Sequence, residues 1–142
     1  MSVIRTISFT DPSEWHQNST IPTVEETMSE SEVFPRNNSG KRIALNEIFD
    51  APAAVFHVRT NPGFDILIRA FNSDGYAYKS GAHKGDVTDG WESSVDKDIT
   101  ISPDRKIGIA VRRTNGQILS ASAVADVGLQ ITYVEESGGY SL

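Results

Sequence analysis

Cysteine is absent from this sequence, which removes disulfides, thiolate nucleophiles and cysteine-based zinc or iron–sulfur sites together. Basic residues are in the minority: 13 Lys and Arg stand against 19 Asp and Glu, for a formal net charge of -6. A nucleic-acid partner is therefore not expected, because such proteins draw most of their affinity from clustered cations that neutralise phosphates. The compact basic groups here are pairs only, Lys41-Arg42, Arg105-Lys106 and Arg112-Arg113. No apolar run approaches the ~20 residues of a membrane-spanning helix, so no membrane insertion is expected. The opening residues, Met1 to Ile7, show no basic segment followed by an apolar one and predict no secretion signal. Catalytic signatures are missing as well. His16, His57 and His83 lack the short spacing of a helical metal motif, and there is no Gly-x-Ser-x-Gly elbow or phosphate-cradling glycine loop. The expectation is a chain that is not an enzyme, although glycosidase chemistry asks only for two carboxylates across a cleft.

What is present is the grammar of strands. A length of 142 residues suits one domain with a real core. Val3 to Phe9 alternates Val3, Arg5, Ile7 and Phe9 with Ile4, Thr6 and Ser8, the period of two expected of a strand. Residues 10–40 change character and read as a long polar loop segment with brief strands, rich in Ser, Thr, Asn, Glu and Pro. Thr23 with Glu26 resembles a capping box and suggests a short helical turn over Thr23 to Ser31. Trp15 and His16 lie in this segment, where an aromatic either anchors the loop to the core or presents a binding face, anchoring being the default.

Dense strand signals follow at Arg42 to Leu45, Ala54 to Arg59, Phe64 to Phe71, Tyr76 to Lys79, Trp91 to Val95, Asp98 to Ile101, Lys106 to Arg113 and Gly128 to Val134. Asn61-Pro62-Gly63 and Asn72-Ser73-Asp74-Gly75 supply the backbone conformations of tight reversals and suggest successive antiparallel hairpins. The small-residue stretch Ser120 to Asp126 reads as a helical turn. Short strands at near-regular spacing, with no amphipathic helix long enough to cover a sheet, favour an all-β sandwich or closed barrel over any α/β design. Ile107, Ile109 and Val111 should face the core, while Gly108, Ala110 and Arg112 suit a face where a loop or a ligand packs closely.

The run Phe64-Asp65-Ile66-Leu67-Ile68-Arg69-Ala70-Phe71, the hairpin Asn72 to Tyr76, the pair Gly90-Trp91, and Ile99 to Pro103 leading into Lys106 to Gly116 together carry a resemblance of pattern. The stretch from Phe34 to Ser122 resembles galactose-binding-like and carbohydrate-binding jelly-roll modules of phage tail, receptor-binding and bacterial surface proteins. Length predicts a single domain over residues 1–142, and the resemblance implies that it folds as a two-sheet antiparallel β-sandwich of jelly-roll type. It implies adhesion to cell-surface glycans within a larger assembly, at a virion or extracellular surface. The alternatives are a structural module that holds a virion or surface complex together through protein–protein contacts, or an accessory domain of a polysaccharide-active enzyme.

A sugar site needs a flat aromatic against the apolar face of the ring, and planar polar groups to read hydroxyls. Asn72, Asp74, Tyr76 and Tyr78 surround one hairpin, His83 and Trp91 follow in or beside a Gly-rich segment, and Arg112 sits on a later strand. These seven are the candidate ligand-binding residues. The competing readings are core packing for Trp91, cross-strand packing for Tyr76 and Tyr78, and pairing with a carboxylate for Arg69 and Arg112. No cofactor is expected. Asp86, Asp89, Asp96 and Asp98 offer oxygens for a structural calcium, yet their spacing does not match an EF-hand and a solvated acidic loop is the simpler reading.

Overall fold

The computed structural model describes residues 2–17, 41–71, 88, 91–101 and 105–136. Ten strands run through them: β1 (Ser2–Ser8), β2 (Trp15–Gln17), β3 (Arg42–Leu45), β4 (Phe49–Asp50), β5 (Val55–Arg59), β6 (Phe64–Phe71), β7 (Glu92–Ser93), β8 (Asp96–Thr100), β9 (Lys106–Arg113) and β10 (Gln130–Glu136). Two short 3₁₀ turns, Pro12–Glu14 and Ala121–Val127, complete the described elements. The expected strand at Tyr76 to Lys79 and the expected helical turn at Thr23 to Ser31 lie outside the described residues. No helix among the described residues is long and apolar enough to cross a bilayer.

The strands form two antiparallel sheets. One has four strands in the order β1-β10-β5-β8, and the other has six in the order β2-β3-β9-β6-β7, with β4 also paired to β9. Four of the pairings nest inside one another along the chain, β1 with β10, β3 with β9, β5 with β8 and β6 with β7. Side chains from both sheets meet in a single core, with Phe56, Val58, Ile99 and Ile131 from the first and Ile43, Ile66, Ile68, Ile107, Ile109 and Val111 from the second. The fold is an all-β sandwich. Each such aliphatic or aromatic side chain removed from water contributes roughly 1.5–3 kcal/mol before ordering costs.

Strand composition explains which sheet each segment joins. β5 reads Val-Phe-His-Val-Arg and alternates exposed and buried positions, so one of its faces meets water. β6 reads Phe-Asp-Ile-Leu-Ile-Arg-Ala-Phe and is buried at almost every position, the mark of a sheet covered on both faces. The turn at Asn61, Pro62 and Gly63, with Gly63 at a φ of 95°, therefore joins two sheets and does not close a hairpin. This corrects the reading of successive hairpins at that turn; the turn at Asn72 to Gly75 lies outside the described residues. Trp15 anchors its segment, buried in the core where β2 pairs with β3.

Candidate functional site

The outer face of the six-stranded sheet, away from the core, carries a polar row set by strand register. Arg42 on β3 lies opposite Arg112 on β9, Arg112 lies opposite Asp65 on β6, and Asp65 lies opposite Ser93 on β7. A second row beside it is apolar: Ala44, Ala110 and Leu67 are buried together with Phe71, and Ile48 and Trp91 pack against them. The close packing expected around Ala110 is therefore realised by this small apolar cluster.

Asp65 is the hub of the polar row. Its Oδ1 accepts from Ser93 Oγ at 2.6 Å and from Thr114 Oγ1 at 2.6 Å, and its Oδ2 accepts from Arg112 Nε at 2.9 Å. Burial by itself would push this carboxyl up, but the hydrogen bonds from Ser93, Thr114 and Arg112, with the charge of Arg112, outweigh it and hold the group below the usual carboxylate range. Asp65 thus stays ionised. A carboxylate placed inside an otherwise apolar strand requires such partners, because burying an uncompensated charge is prohibitive.

Arg112 is fixed through Nε, and its guanidinium carbon lies 4.3 Å from the centre of the Trp91 ring. That geometry is a cation–π contact. The Arg112 side chain is nevertheless 40% exposed, so part of it meets solvent while Nε is held. Two of the seven candidate residues, Trp91 and Arg112, are thus brought into contact from separate parts of the chain. Arg112 takes the carboxylate pairing weighed from the sequence, while Trp91 is half-buried on the outer face and is not a member of the inter-sheet core. Asn72, Asp74, Tyr76, Tyr78 and His83 lie outside the described residues. Arg69 donates through Nη1 to the carbonyls of Thr88 at 2.9 Å and Ile68 at 3.3 Å, so it helps tie residue 88 to the edge of β6.

Sequence reasoning missed a second cluster, on the solvent face of the four-stranded sheet. His57 on β5 donates from one ring nitrogen to Asp98 at 2.8 Å and from the other to Asp96 at 2.5 Å. Both partners stand on β8, where Asp98 is directly opposite His57 and Asp96 is opposite Arg59. The hydrogen bond to Asp96 and then that to Asp98 raise the imidazole above its ordinary value, against a smaller effect of burial. Asp96 and Asp98 bracket the ring from two sides and do not converge on a common point, while Asp86 and Asp89 lie outside the described residues. Among the described residues, no group of three or more His, Cys, Asp or Glu could hold a metal ion. The alternation Asp96-Lys97-Asp98 placed two carboxylates on one face of a strand, which was the available signal. Against protein-family models, curated proteins and solved structures alike, the chain finds no match, and its functional reading rests on its own residues.

Proposed function

We propose that the chain is a non-catalytic carbohydrate-binding module of jelly-roll type, which recognises cell-surface glycans as part of a phage tail or comparable surface assembly. The observation that carries this reading is the half-exposed Arg112 side chain, its guanidinium beside the Trp91 ring and tethered to an ionised, buried Asp65. An indole offers an apolar face to a pyranose, and the terminal NH₂ groups of an arginine read hydroxyl or carboxylate oxygens in a fixed plane. The tether matters because a ligand then pays little to order the side chain.

The nested strand pairing supports the jelly-roll type, since a long hairpin folded over into two sheets gives this order. The state of His57 supports a binding role over catalysis: both of its ring nitrogens are held by carboxylates, which leaves neither free to take a proton from a substrate.

A glycan array probed with the folded chain tests the proposal, followed by titration of any hit into the Arg112→Lys and Trp91→Phe variants. Binding that weakens in both variants, with folding intact, is the expected result. Silence toward every surface polysaccharide of a candidate host at millimolar sugar would overturn it.

A further inference from the structure

The solvent face of the four-stranded sheet holds an open groove of about 460 Å³, lined by Ile4, Val55, Thr132 and Val134 and ending at His57 and Asp98. Strand register explains the grouping: Ile4 on β1 faces Val134 on β10, and Thr132 on β10 faces His57 on β5. Ile4 is 73% exposed, Val134 51% and Val55 49%. Single exposed aliphatics are ordinary on a protein surface, but three on adjacent strands around one concavity mark an interaction surface.

The groove end is electrostatically one-sided. Asp96 and Asp98 share one imidazole, so the trio carries a net negative charge even when His57 is protonated. Thr132, facing His57 from β10, is uncharged, and Arg59 stands one step further along β5, opposite Asp96 and outside the groove lining. Asp98 is the carboxylate that borders the apolar walls. We propose that this groove docks a partner protein through a segment in which an aliphatic side chain is followed by a lysine or arginine, the first lying between Ile4, Val55 and Val134 and the second meeting Asp98. A protein segment suits the site better than a free small molecule because the concavity is open to solvent and not enclosed. Small-molecule sites bury most of their ligand, whereas a partner brings its own cover.

Raising the pH through the titration of His57 removes the charge of the imidazole and one of its two N–H donors, so the Asp96 and Asp98 carboxylates pull more strongly on an incoming cation.

The test is an amide-resolved NMR titration of the whole chain with a blocked tetrapeptide of leucine, leucine, lysine and leucine. Two further probes run beside it, the same peptide with glutamate for lysine, and hexylammonium chloride. The expected result is a set of shifts centred on Ile4, Val55, His57, Thr132 and Val134, with the glutamate peptide about three- to fivefold weaker, the size of one exposed ion pair. Asp98→Asn should weaken the lysine peptide by a similar factor and Val55→Ser should weaken both peptides. Affinity for the lysine peptide should rise in the wild-type chain as pH is raised through the His57 titration, and stay flat over the same span in His57→Gln. Unchanged core amide signals verify folding in each variant. Equal binding of the two peptides, shifts elsewhere on the surface, or hexylammonium binding as tightly as the peptide would each overturn the proposal.

Discussion

Replacing Asp65 by asparagine should destabilise the protein far more than its modest change in shape suggests. The two oxygens of Asp65 have different duties: Oδ1 accepts from the Ser93 and Thr114 hydroxyls, and Oδ2 accepts from Arg112 Nε. An amide keeps one oxygen for the hydroxyls, but its NH₂ then faces the Arg112 donor. Arg112 loses its carboxylate while Arg42, buried, still stands directly opposite it across the β3–β9 pair. Breaking a buried ion pair from one side costs about 3–5 kcal/mol, and the 40% exposure of Arg112, which lets that partner turn to water, moves the expectation to about 2–4 kcal/mol. At roughly 3 °C of melting temperature per kcal/mol for a chain of this size, Asp65→Asn should melt about 6–12 °C lower. Urea unfolding at neutral pH measures the loss. The carboxyl is held below its unfolded value, so its contribution is present above the unfolded pKa near 3.9 and is lost as pH falls through the lower folded value. The gap between wild type and variant should therefore close in strong acid. Asp50→Asn is the control: its partner Lys106 sits 2.8 Å away, but Asp50 is 84% exposed, and the expected cost is below about 1 kcal/mol. A loss at Asp65 no larger than at Asp50, or one that persists unchanged in acid, would refute the account of this cluster.

Gly128 has a φ of 62°, and a β-carbon there would lie 2.4 Å from the Asn61 amide nitrogen, so Gly128→Ala should cost about 1–3 kcal/mol in urea melts. An Asn61→Ala background should recover the part due to the clash and leave the part due to the backbone. His57→Gln should be less stable than wild type below about pH 6.5, with the difference fading as pH rises through the raised His57 value; a difference that grows with pH would contradict the hydrogen bonding assigned to the ring. Leu67→Ala should cost about 2–4 kcal/mol by calorimetry even though Leu67 points away from the inter-sheet core, because it is buried among Ala44, Phe71 and Ala110.

The strands that were easiest to read from the sequence are those buried on both faces. β3, β6 and β9 have the boundaries expected from their continuous apolar runs, and Ile107, Ile109 and Val111 face the core as their alternation required. β2 is one of the brief strands expected within the polar segment, but its position has no signal, and β4 has none at all, because three and two residues carry too little periodicity to register. The turn at Asn61 misled for another reason: turn chemistry specifies a reversal but not whether the next strand returns to the same sheet. The change from alternating β5 to continuous β6 held that information. Arg112 and Trp91 were legible as unusual residues, yet the residue that joins them to the fold, Asp65, was passed over inside an apolar run. A lone acid in such a run is itself a signal, since it demands a buried cation or several donors. The His57 cluster depends on the register of β5 against β8, a pairing across 41 residues that no local pattern reveals.

The two sheets differ in what a surface change on each can do. On the six-stranded sheet the candidate residues are braced by one buried carboxylate, so Arg112, and with it the contact to Trp91, owes its geometry to Asp65, which the exposed Ser93 and Thr114 hydroxyls hold in turn. Any variant that loosens the brace should weaken ligand binding along with stability, and the two losses should track each other across Asp65→Asn, Ser93→Ala and Thr114→Val. On the four-stranded sheet the groove residues stand on strands whose inward neighbours, Phe56, Val58 and Ile131, carry the core. Ile4 and Val55 are exposed enough that polar replacements should leave stability within about 0.5 kcal/mol while altering docking. Stability that falls with binding on the first face, and binding that falls alone on the second, would separate a braced site from a bare surface within one small fold.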